Sequence, residues 1–100
     1  MITVVNKHHD SSGVYVGRPT VLGNPYTLKE YHRTDAIARY RLWLRQQWRR
    51  GGAVRQELER LAAKYRRDGQ LTLLCWCAPL PCHADVIREA VLGIYAKEVR

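Results

Sequence analysis

A chain of 100 residues is one domain with room for a modest core, and a hydrophobic fraction of 46% excludes disorder by composition. No apolar run reaches the roughly 18 residues that a membrane span needs. The segment Met1 to Lys7 lacks the order of a signal peptide, so a cytoplasmic protein without a membrane partner is expected. The formal net charge is +8, and the stretch from Arg33 to Arg67 carries all of it: eleven basic residues against Asp35, Glu57 and Glu59. Such a field draws polyanions, which makes a nucleotide or nucleic acid the expected partner, unless the arginines are only a solvated face.

In chain order, Ile2 to Asn6 is a β-branched run and reads as a strand. His8 to Gly13 is polar and reads as a turn. Val14 to Val16 is a second strand, stopped by Gly17 and Pro19. The stretch to Tyr26 is a structured loop punctuated by Gly23, Asn24 and Pro25. A helix starts with Thr34 as N-cap and Asp35 in its first turn. Ile37, Tyr40, Leu44 and Trp48 follow at helical spacing, Trp43 widens the apolar face, and Gly51-Gly52 ends the helix. A second helix runs from Val54 to Arg67, with Val54, Leu58, Leu61, Ala62 and Tyr65 on one side. Gln70 to Cys77 is nearly continuous in apolar character, as in a strand covered on both faces. A tight loop with Pro79 and Pro81 leads to a third helix from about Cys82. The expected fold is α/β: one layered domain, residues 1–100, with a short, mainly parallel sheet and about three helices.

All three cysteines lie between positions 75 and 82. A disulfide framework would spread them out; clustering points to metal ligation, reactive thiols or simple packing. If Cys75 and Cys77 stand two apart on a strand, they leave one face. Cys82 and His83 follow at the turn into a helix. Three sulfurs and an imidazole are then expected at the C-terminal edge of a strand, where α/β sheets bind ligands. Helix N–H groups there hold anions and lower thiol pKa values. Three chemistries fit: tetrahedral zinc on Cys75, Cys77, Cys82 and His83; an iron–sulfur cluster with one open iron; or one activated cysteine with His83 as base. Asp85 stands in the first helical turn, either as a dipole-favoured carboxylate or as a catalytic group. Trp76 alternates away from the cysteines and is expected in the core.

In the earlier loop, Gly17 and Gly23 allow a backbone to come close to a ligand. Arg18 is a fork-shaped donor for phosphate or carboxylate. Asn24 before Pro25 suits a turn, or the reading of a base or sugar hydroxyl.

These motifs together (Val14-Tyr15-Val16-Gly17-Arg18-Pro19, Leu22-Gly23-Asn24-Pro25-Tyr26, Tyr40 with Trp43-Leu44, and Leu74-Cys75-Trp76-Cys77-Ala78-Pro79 with Cys82-His83-Ala84-Asp85-Val86-Ile87) resemble the domain of unknown function 4326 family of bacteria and their phages. The resemblance runs from about Val4 to Leu92; Ala84 departs from it, where glycine is the common residue. It implies a compact domain with Gly17, Arg18, Gly23, Asn24, Pro25, Cys75, Cys77, Cys82, His83 and Asp85 as motif residues, and it names no reaction.

The expected function is a small enzyme, a hydrolase or group transferase on a nucleotide, nucleoside or nucleic acid. Gly17, Arg18, Gly23 and Asn24 bind the substrate, and Cys75, Cys77, Cys82 and His83 hold zinc or an iron–sulfur cluster. His83 or Asp85 moves protons, or Asp85 attacks a sugar carbon. Two rival readings stand beside it. One is a nucleic-acid-binding module gripping phosphates through Arg41, Arg45 and Arg49, with Trp43 or Trp48 and a structural zinc. The other is a phage regulatory protein docking on a host partner.

Overall fold

The computed structural model describes residues 1–10 and 12–98. Its centre is strand β3, Leu71–Cys75, flanked by β1, Ile2–Asn6, on one side and β2, Val14–Tyr15, on the other. Both flanking strands run parallel to β3, with Ile2 beside Leu71, Asn6 beside Cys75 and Val14 beside Leu73. Central placement explains the apolar run: four of the five β3 residues are buried. Three helices complete the fold: α1, Arg33–Arg50; α2, Ala53–Asp68; and α3, His83–Glu98.

The pleat sorts side chains by face. Ile2, Leu71, Leu73 and Cys75 join Tyr40 and Leu44 of α1, Leu58, Leu61 and Ala62 of α2, and Ile87 and Val91 of α3 in one core. Leu74, on the opposite face, is also buried, beneath the connection from β1 to β2. A Cβ on Gly13 in that connection would sit 2.6 Å from the Thr72 carbonyl oxygen and 3.1 Å from Leu74 Cδ2, so only a glycine can lie this close to the sheet.

The elements follow the expected order, and some boundaries move. The α1 helix begins at Arg33 with His32, not Thr34, in the N-cap position. It ends at Gly51 (φ 78°), and α2 starts after Gly52 (φ 105°). Gly69 (φ 75°) closes α2 in the left-handed conformation, its N–H donating to the Tyr65 carbonyl at 2.8 Å. Val16 lies beyond β2, and β3 stops at Cys75 rather than Cys77. With the strand ended, Trp76 is half exposed and not a core residue. Among the described residues no helix is long and apolar enough to cross a membrane.

Candidate active site at the C-terminal edge of the sheet

The cysteine loop is shaped by Asn6, the last residue of β1. Its side-chain amide donates to the carbonyls of Trp76 and Ala78, both at 3.0 Å, while its Oδ1 accepts from the His8 N–H at 2.8 Å. One side chain therefore turns the chain out of the sheet directly after Cys75. The Leu80 N–H then bonds the Cys77 carbonyl at 2.9 Å, closing a turn. Cys82 ends the loop as the residue before α3. The Asp85 carboxylate reaches back to accept the Cys82 N–H at 3.0 Å, and the Asp85 N–H donates to the Cys82 carbonyl at 3.1 Å. This is the acidic half of a capping box, with Cys82 in the cap position.

The result brings Cys75 and Cys82 side by side, their sulfurs 3.1 Å apart. Cys75 and Cys77 do not share a strand face as expected: the strand ends between them, and Cys77 is half-buried on the loop. The Cys82 thiol donates to the Cys75 sulfur, and the N–H groups of Ala78 and Cys77 also point to it. Together they outweigh burial and pull the Cys75 pKa down to about 6. The bond to Cys75 and burial push Cys82 the other way, so it keeps its proton.

His83 opens α3. Its Nε2 lies 2.8 Å from the Val16 carbonyl, which can only accept, so Nε2 carries the proton and Nδ1 the lone pair. The ring stands edge-on to Tyr40, with centroids 5.1 Å apart. Burial, with Arg18 nearby, holds its pKa below the ordinary histidine value, and the ring is neutral. Among the described residues no three His, Cys, Asp or Glu side chains gather as metal ligands.

The Gly-Arg-Pro loop faces this pair. Tyr15 donates its hydroxyl to the Arg18 carbonyl at 2.7 Å and accepts the Trp76 indole N–H at 3.0 Å, so the two loops are linked through aromatic side chains. A Cβ at Gly17 would collide with the Tyr15 phenol, and one at Gly23 would come within 2.9 Å of Arg18 Cα and N. Both glycines thus make room for neighbouring protein groups. Asn24 is also committed: its Oδ1 accepts the Tyr26 N–H at 2.9 Å, and its amide donates to the Ala36 carbonyl at 3.4 Å, pinning the loop to α1.

A cavity of about 350 Å³ opens where these parts meet. Arg18, Arg33, Tyr26, Cys75, Cys82 and His83 line it, with no carboxylate among its described walls. Gly17, Asn24 and Cys77 also border it; Gly23 and Asp85 do not. Arg33 was visible in the sequence only as part of a basic run. Here its guanidinium is fixed by donating to the Pro81 carbonyl at 3.0 Å. A larger groove of about 550 Å³ lies between the helices, but its rim is tied up in the Arg41–Glu89 and Arg55–Glu59 ion pairs and it holds no cysteine or histidine. Arg45, Arg49 and Arg50 remain exposed without an ion pair among the described residues.

The placement of Asp85 gives a test. Asp85→Ala should cost about 1 kcal/mol, the usual worth of such a cap. Asp85→Asn, whose amide oxygen still accepts from Cys82, should retain most of the stability. Urea midpoints decide it: equal losses in both variants would remove the capping role.

No curated protein and no solved structure matches the chain. A family model does, over residues 4–93, and that span takes in both loops and every residue that lines the cavity. The chain therefore belongs to the family described as a domain of unknown function (DUF4326).

Proposed function

We propose that this protein is a small hydrolase or group transferase acting on a phosphorylated nucleotide or nucleoside derivative, with the 350 Å³ cavity as its active site. The observation that carries this reading is the composition of the walls: among the described residues two guanidiniums and no carboxylate, set around the Cys75–Cys82 sulfur pair. Arg18 and Arg33 bind the phosphate, assisted by the N-terminus of α3. Tyr26 and Trp76 offer ring faces to a base. Cys75 is the nucleophile: its sulfur bonds to the electrophilic carbon as the bond to the leaving group breaks, and the leaving group departs with the electron pair. His83 Nδ1 then takes the proton of the water or acceptor that displaces Cys75. In this reading Cys75 and Cys82 work as thiols, without zinc or an iron–sulfur cluster.

Calorimetry with nucleoside 5′-monophosphates and the matching nucleosides tests it. The monophosphates should bind at least about tenfold more tightly, since one charge-assisted contact is worth about 1.5–3 kcal/mol. Arg18→Ala with Arg33→Ala should erase that preference, and Cys75→Ser should bind normally but turn over nothing. Equal binding of phosphorylated and plain nucleosides would overturn the proposal.

A further inference from the structure

We propose that Cys75 and Cys82 form a reversible disulfide on reaction with hydrogen peroxide, making the cavity a redox-modification site. The two sulfurs are 3.1 Å apart, so a shift of about 1 Å brings them to bonding distance. Both are free thiols. Each is almost fully buried by its own surroundings, yet both border the same cavity, which is the route for a small oxidant. They stand at the two ends of one loop, and the residues next to them are held in place: Asn6 bonds the Trp76 and Ala78 carbonyls, and Arg33 bonds the Pro81 carbonyl. Cys75 ends β3 and Cys82 directly precedes α3, so the shift that closes the bond falls at the end of the strand and the cap of the helix.

The chemistry balances in two steps. The Cys75 thiolate attacks one peroxide oxygen; the S–O bond forms, the O–O bond breaks, and hydroxide leaves and takes a proton to become water. Cys82 then attacks the oxidised Cys75 sulfur. The S–S bond forms, the S–O bond breaks, and the second hydroxide leaves as water with the proton of Cys82. Two thiols lose two electrons and one peroxide gains them. Cys77 takes no part in the proposed bond, because the sulfur that lies against Cys75 is that of Cys82. Cys82 donates its S–H to the Cys75 sulfur, so Cys75 is the acceptor of the pair and the one that meets the oxidant first. If Cys75 is the nucleophile proposed above, and this clause alone rests on that reading, oxidation switches the enzyme off until a thiol reductant restores it.

The test uses the intact protein treated with hydrogen peroxide. The expected result is a loss of about two mass units per chain, reversed by dithiothreitol, with peptide mapping that joins Cys75 to Cys82. Cys77→Ala should behave as the parent. Cys82→Ser should stop at a sulfenic acid on Cys75 that a dimedone probe captures. Mapping of the parent protein needs no variant to fold, and it decides the matter. An unchanged mass under excess peroxide, or a crosslink through Cys77, would overturn the proposal. Nucleotide calorimetry on the reduced protein reports separately on the function proposed above, so the two can fail independently.

Discussion

Tyr40→Ala should leave a chain at or below the threshold of folding. The ring is fully buried, between Trp43 at 5.5 Å and His83 at 5.1 Å between centroids. Its hydroxyl donates to the Leu22 carbonyl at 2.7 Å, inside the protein. Removing a large aromatic ring from a core costs about 3–5 kcal/mol. Stranding a buried carbonyl adds about 1–3 kcal/mol. Domains of this size have about 5–15 kcal/mol in total, so the loss approaches the whole. Tyr40→Phe separates the two contributions, because it keeps the ring and loses only the hydrogen bond. It should stay folded, weakened by about 1–3 kcal/mol in urea. A Phe variant as unstable as the Ala variant would show that the hydroxyl, and not the ring, holds the loop to α1.

The second large effect is expected at Asn6. Asn6→Ala removes three hydrogen bonds that set the course of the cysteine loop, at a cost of about 2–3 kcal/mol. Its chemical consequence is more telling than its cost. With the Trp76 and Ala78 carbonyls released, the Ala78 N–H no longer has a fixed aim at the Cys75 sulfur, and the contact with Cys82 loosens. The Cys75 pKa should then rise from about 6 toward the ordinary thiol value of about 8.5. The rate of alkylation by iodoacetamide as a function of pH reads this directly. Asn6→Asp should do at least as much damage, since a carboxylate facing two carbonyl oxygens has no proton to donate. An alkylation profile unchanged in Asn6→Ala would mean that Cys82 alone holds the thiolate.

The fold class could be read from the sequence because each element announces itself locally. The β-branched run of β1, the 3.6-residue period of α2 and the glycines at 51, 52 and 69 place those elements within a residue or so. The meeting of two loops at one sheet edge comes from the parallel pairing, which puts the C-terminal ends of β2 and β3 together. The contacts that shape the site did not follow. Cys75 and Cys77 would share a face only if the strand continued, and β3 ends where its pairing with β1 ends, at Asn6. Asn6 closes a strand-like run and gives no sign of bonding to carbonyls 70 and 72 residues away. Gly17 and Gly23 looked like ligand-facing glycines; the groups they avoid, Tyr15 and Arg18, are visible only in three dimensions. Asp85 is different. A carboxylate three residues after a cap position is a capping-box spacing, and only the cysteine in place of serine obscured it.

The strand order also governs how the molecule comes into being. Strands β1 and β2 are made before β3, and among the described residues neither pairs with the other; both bond to β3, which comes after two helices. Until Leu71–Cys75 is made there is no sheet, and the arginine loop has nothing to face. The sheet is therefore the last layer to form, built wholly from pairings distant in sequence, while the helices rest on local contacts. The central strand is completed by Cys75 itself. The residue that finishes the strand is one whose sulfur borders the cavity, so the site exists only once the sheet does.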